Sequence, residues 1–161
     1  LSSSSAASDV YKRQEYIDNS GYINVSFSTG FSKLSPLTRN HKIKFVEGEV
    51  IGSDTGDPTG RIYLRQRGTS TINSLEGKKI FYKFPERLAV LDTFFNGSRW
   101  YDSSVADFDV FRNERFRDRP YANTHWEFIL NNVDEEVNKD INLDSLSDIK
   151  IYVYYTDFTK L

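Results

Sequence analysis

Lys42–Ile51, KIKFVEGEVI, is the stretch on which the fold turns. Its apolar side chains alternate, first as Ile43 and Phe45, then one step out of phase as Val46 and Val50. Alternation with a period of two marks a half-buried strand, and a one-residue slip sends every side chain to the opposite face. The spacing predicts one long strand interrupted by a bulge. Gly48 lies at the shift, and a bulge near Gly48 is expected.

The same grammar extends outward in both directions. Upstream, Tyr22–Ser28 (YINVSFS) sets Ile23, Val25 and Phe27 on one face, followed by Gly30 and a polar stretch with Pro36. Downstream, Gly52–Gly60 (GSDTGDPTG) is dense in turn formers and reads as an exposed loop. Further strands are predicted at Arg61–Gln66, at Lys79–Phe84 up to Pro85, and at Ala106–Phe111. Leu88–Phe95 (LAVLDTFF) is apolar enough to read as one strand covered on both faces, ending at the Asn96-Gly97 turn signal. His125–Leu130 groups Trp126, Phe128 and Leu130, and Ile149–Tyr155 groups Ile149, Ile151, Val153 and Tyr155. Only Val133–Leu146, acidic and containing Asn138 and Asn142, lacks strand character and reads as a loop with at most one helical turn. About eight short strands without a helix of useful length imply a β-sandwich or barrel; the expectation taken forward is an all-β, antiparallel, jelly-roll-like sandwich.

Composition agrees. The 161 residues are 38% hydrophobic and 15% aromatic, with 12 Phe and 10 Tyr, side chains that suit a pleated, half-buried surface. One domain is expected at this length. A net charge of -2 argues against a nucleic-acid partner, which selects strongly basic faces. No apolar run approaches the roughly 18 residues that read as a membrane-spanning helix. Without cysteine there is no disulfide or thiolate metal site. The absence of methionine and the start at Leu1 suggest a piece of a longer protein. The serine- and alanine-rich opening Leu1–Gln14 resembles a cloning-adaptor read-through or a flexible linker. Residues 1–20 are therefore set apart as a non-native or flexible segment, and 21–161 as the sandwich domain.

The chemical inventory is thin. His41 and His125 each stand beside a strand start, with no HxH or HExxH spacing to suggest a metal, and read as hydrogen-bonded strand-edge histidines. There is no G-x-S-x-G elbow and no Gly-rich phosphate loop. Carboxylates at Asp54, Asp57, Asp102, Glu127 and Asp148 could pair as in a glycosidase, but the sequence places no two across one groove. Asp54 and Asp57 lack ordered calcium-loop spacing and read as turn residues. No cofactor is expected, and the chain reads as non-catalytic.

Two clusters remain. In Arg112–Arg119 (RNERFRDR), Arg112, Arg115, Arg117 and Arg119 are interleaved with Glu114 and Asp118, which points to an ion-pair network or a polar protein interface. Trp100 and Tyr101, following the Asn96–Arg99 turn, would stack on sugar rings in a carbohydrate-binding module, anchor a partner in a docking module, or pack in the core. Tyr121 would join them in the glycan-binding reading.

The second half resembles the C-terminal domain of the A component of Tc insecticidal toxins, which receives the B component. Arg39–Val46 (RNHKIKFV) is similar to the family's basic approach to an Ile-Lys pair, here Ile43-Lys44. Phe111–Phe116 (FRNERF) resembles its Phe-Arg-x-Glu-Arg-aromatic segment, with Pro120-Tyr121 in the place of a Pro-aromatic pair. Trp126–Leu130 resembles a Trp-led strand, and Asp144–Thr156 the closing strand. The likeness covers about Ser26 to the end and is weakest between Gly52 and Trp100. The chain departs from the family at two loops, with Asp54–Gly60 where a Gly-Pro-Tyr turn is usual and Trp100–Ser104 where a Gly/Ser-rich loop is usual. The resemblance implies a secreted toxin fragment from a homo-oligomeric parent, docking on a B-component-like protein. A rearrangement on docking is part of that picture, with Arg112–Arg119 as an expected ion-pair lock.

Overall fold

The computed structural model describes residues 3–6, 22–54, 61–96, 114–131 and 136–159. Ten strands are found there: β1 (Ser3–Ala6), β2 (Tyr22–Thr29), β3 (Thr38–Gly52), β4 (Tyr63–Gln66), β5 (Thr69–Asn73), β6 (Lys79–Lys83), β7 (Arg87–Val90), β8 (Asp92–Phe95), β9 (Thr124–Asn131) and β10 (Leu146–Thr159). They form two four-stranded sheets, β1-β10-β3-β8 and β2-β9-β4-β7, and a separate hairpin β5-β6. With the hairpin set aside, each sheet has the strand order of a jelly roll. One pairing departs from the antiparallel rule, because β8 runs parallel to β3.

The departure has a local cause. The chain passes from β7 in one sheet to β8 in the other through the single residue Leu91, without reversing direction. Leu91 is buried, and its N–H donates to the Ile62 carbonyl at 2.8 Å. The expected continuous strand Leu88–Phe95 is thus two strands belonging to different sheets. It is not covered on both faces either, since Leu88 and Val90 are exposed.

Between the sheets lies one core. The first sheet contributes Ile43, Val46, Val50, Ile149, Ile151 and Val153, the second Ile23, Leu64, Ala89, Trp126, Phe128 and Leu130. The apolar sets on β9 and β10 are those the alternation marks. One bulge in β3 lies at Lys44, four residues before Gly48, and a second register shift follows near Asn40 and His41. Tyr154 pairs with Phe45 and Tyr155 with Ile43, so Lys44 is the extra residue, while register runs unbroken through Gly48. Gly48 meets a different requirement. A Cβ there would stand 2.7 Å from Leu91 Cδ2, so the missing side chain lets the crossing residue pack against the strand.

Phe45 lies on the outer face and stacks on Tyr154 with ring centres 4.2 Å apart. The same face carries two buried acids. Glu47 accepts from the Tyr154 hydroxyl at 2.9 Å and Glu49 from the Tyr152 hydroxyl at 2.7 Å. Buried carboxylates need such donors.

Among the described residues, the acidic connection after β9 holds two single 3₁₀ turns, Glu136–Asn138 and Leu143–Ser145, where at most one helical turn was expected. Asn138, fully buried, donates to the carbonyls of Arg61 at 2.7 Å and Asn131 at 2.8 Å. Ala106–Phe111 lies outside the described residues. Within the segment set apart at the N-terminus, Ser3–Ala6 pairs antiparallel with Tyr154–Ile151 at the sheet edge.

Candidate functional site

The arginine-rich segment forms a strap across three sheets. Its descent begins with the turn Arg115–Asp118, where Asp118 takes the left-handed φ of 64°. Backbone bonds then tie it to β3: the N–H of Ile43 donates to Arg119 O at 2.8 Å, and the N–H of Asp118 donates to Ile43 O at 2.8 Å. Farther on, Ala122 O accepts from the N–H of Thr71 on β5 at 2.8 Å and from the Ser70 hydroxyl at 2.6 Å. Pro120 O accepts from Gln66 Nε2 of β4 at 3.3 Å. On the outside, Arg87 of β7 donates to Arg115 O at 2.7 Å.

Apolar anchors hold the strap down. Phe116 is buried and meets the Trp126 ring edge-to-face at 5.4 Å. Tyr121 is fully buried beside Tyr155, with ring centres 5.7 Å apart. Burial, with Tyr155 a lesser influence, raises the Tyr121 phenol above its ordinary pKa, and among the described residues its hydroxyl has no hydrogen-bond partner. The Trp126 indole donates to Thr29 Oγ1 at 3.0 Å, and the Thr29 hydroxyl in turn donates to Tyr121 O. A surface aromatic anchor is therefore not what Tyr121 provides here, and the sugar-stacking set loses it. Trp100, Tyr101 and Arg112 lie outside the described residues, as does Asp57.

Two charged pairings of the strap stand out among the described residues. Glu114 pairs with Arg117 three residues on, with both exposed. Arg119 stacks on Phe84 with its guanidinium carbon 4.4 Å from the ring centre. It also donates to Pro85 O at 2.9 Å and Gln66 Oε1 at 3.2 Å. Burial, and secondarily the charge of Arg87, lower its pKa. Arg119 thus clamps the end of the hairpin, using an aromatic face and two neutral oxygens.

The clamped hairpin is the most apolar exposed feature among the described residues. Phe81 is 77% exposed and Leu75, at the turn, 62%, while Ile80 and Tyr82 are about half so. Gly68 permits the hairpin base to close, since a Cβ there would lie 2.5 Å from Phe84 O. Lys79 Nζ rests over the Phe31 ring at 5.6 Å.

Elsewhere polar side chains pair with one another. Ser28 and His125 face each other as direct cross-strand partners, with Oγ 2.7 Å from Nδ1. They border an open depression of about 370 Å³ that also includes Arg67 and Glu127. Glu127 is engaged by Arg65 at 2.9 Å and by Arg67, which also holds Glu86 at 2.8 Å. These acids hold the Arg67 pKa above its ordinary value. His41 is buried in β3, where its Nε2 meets Thr38 Oγ1 at 2.7 Å. Burial lowers its pKa, Asp157 opposes that and Arg39 adds to it. Among the described residues no cluster of His, Cys, Asp and Glu has the makings of a metal site.

The hairpin gave no warning as a unit. Lys79–Phe84 reads as a strand, but its polar partner Thr69–Asn73 carries no apolar alternation. Compared with protein-family models, curated proteins and solved structures, the chain matches none.

Proposed function

We propose that this chain is a docking domain without catalytic chemistry of its own, and that it receives another protein on the β5–β6 hairpin. The observation that carries this reading is the cluster Leu75, Ile80, Phe81 and Tyr82, exposed on a hairpin that the strap clamps firmly at its base. Large aromatic side chains held ready at a surface, with Arg119 stacked on Phe84 at the base, have residue types common in interface hot spots. A rigid base lowers the ordering penalty of association.

The sequence resemblance supplies the kind of partner: the B component of a Tc-toxin-like assembly, with the domain carried by a secreted, homo-oligomeric A-type subunit. Supporting it, Glu114–Phe116 and Pro120-Tyr121 of the resembling segment build the strap on which the hairpin leans. A docking signal at the hairpin has a short path to both sheets, through Ala122 along the strap to Pro120, which meets Gln66, and to Arg119, which meets Ile43.

The test is complex formation with a Tc B component, read by size-exclusion chromatography and biolayer interferometry. Phe81→Glu, at an exposed position, should weaken the complex at least tenfold and leave thermal stability unchanged. Equal binding by both chains, or binding to polysaccharides in place of the B component, would refute the reading.

A further inference from the structure

The outer edge of β6 has backbone groups to offer as well as side chains. Phe84 N–H donates to Gly68 O at 2.9 Å, and Lys78 O accepts from Ser74 N–H at 2.8 Å. In an antiparallel ladder a residue turns its N–H and C=O to the same side, and successive residues alternate. The even positions from Lys78 to Phe84 therefore face β5. The N–H and C=O of Lys79, Phe81 and Lys83 face away from it. β5 obeys the same parity, for Thr71, opposite Phe81, sends its N–H the other way, to Ala122 of the strap. Among the described residues no strand pairs with the outer edge of β6.

Lys79, Phe81 and Lys83 also share one side-chain face, by the period of two. That face presents charge, ring, charge. A strand laid along the edge sets its own side chains directly opposite these three, where opposite charges stabilise and like charges destabilise. A second copy of the chain fits badly. Antiparallel pairing about Phe81 would put each Lys79 against the other copy's Lys83. A complementary strand carries an acid, then two positions on an apolar residue, then two further on another acid.

Resting on the docking reading, we infer that β6 takes an extended segment of the partner protein as a third strand, selected by the pattern acid–x–apolar–x–acid. Backbone hydrogen bonds at Lys79, Phe81 and Lys83 supply attachment, and the two lysines supply register and sign. Strand addition of this kind draws affinity from the main chain and specificity from alternate side chains. The lysines would at the same time exclude self-pairing, as edge lysines do.

The experiment uses the full 161-residue chain and fluorescein-labelled peptides, read by anisotropy. The first contains Glu-Thr-Val-Thr-Glu, the second Lys-Thr-Val-Thr-Lys, and the third is the first with its backbone amides N-methylated. The first should bind at least tenfold more tightly than either of the others and should weaken with added salt. The double variant K79E/K83E should reverse the preference between the first two. Equal binding of the N-methylated peptide would overturn strand addition, and an unchanged preference in K79E/K83E would overturn the charge selection. Concentration-dependent dimers of the chain, abolished by Phe81→Pro, would assign the edge to a second copy instead. If Phe81→Glu loses the B-component complex while no peptide binds, docking stands and strand addition falls.

Discussion

Phe116 and Glu114 stand two positions apart in the strap and hold it with very different strength. Glu114 meets Arg117 in solvent, and exposed pairs are commonly worth about 0–1 kcal/mol. Phe116 is buried against Trp126, and emptying such a site costs about 3–5 kcal/mol. Glu114→Gln should therefore leave the urea midpoint nearly unchanged, while Phe116→Ala lowers it sharply. Equal effects of the two would show that charge, not packing, fastens the strap. The sequence showed the charges more plainly than the anchors. Four arginines and two acids in eight residues draw the eye, and a single Phe among them does not, because burial is a property of what lies above it. Tyr121 misled for the same reason, since an amphipathic ring beside a proline suits a surface and a core equally well.

Strands were legible where one face was dry and the other wet. β9 and β10 bury the sets that the period marks, and in β2 the marked Ile23 is buried while Val25 and Phe27 are partly buried against the core. β3 was harder because near Phe45 both of its faces are covered, so the phase shift was visible while the bulge at Lys44 was not. β5 escaped because Ser70 and Thr71 are buried by hydrogen bonding to the strap and not by apolarity. Gly48, near which the bulge was expected, instead receives the crossing residue Leu91. Gly48→Ala should cost about 1–3 kcal/mol by overpacking against Leu91. Gly30→Ala, with nothing within 4 Å of the added methyl, should be near neutral. Thermal unfolding of the two variants measures the difference, and equal values would mean that Leu91 yields freely.

Taken whole, the molecule is a jelly roll with a hairpin added between its fourth and fifth strands, and a strap that fastens the addition to both sheets. The sandwich was readable in the sequence because it rests on local periodicity. The placement of hairpin and strap was not, since it rests on pairings such as Thr71 with Ala122, about fifty positions apart.

The Leu91 crossing also bears on how the molecule breathes. β7 and β8 are edge strands of opposite sheets, places where amide protons ordinarily escape one sheet at a time. Here one buried side chain joins them, so lifting either strand withdraws Leu91 from beneath Gly48 and loosens the other. Native-state hydrogen exchange should find the amides of Leu88–Val90 and Thr93–Phe95 opening with a common free energy and a common denaturant slope. Independent slopes for the two groups would show that the crossing is a mere connection. A shared slope would make it the seam along which both sheets part together.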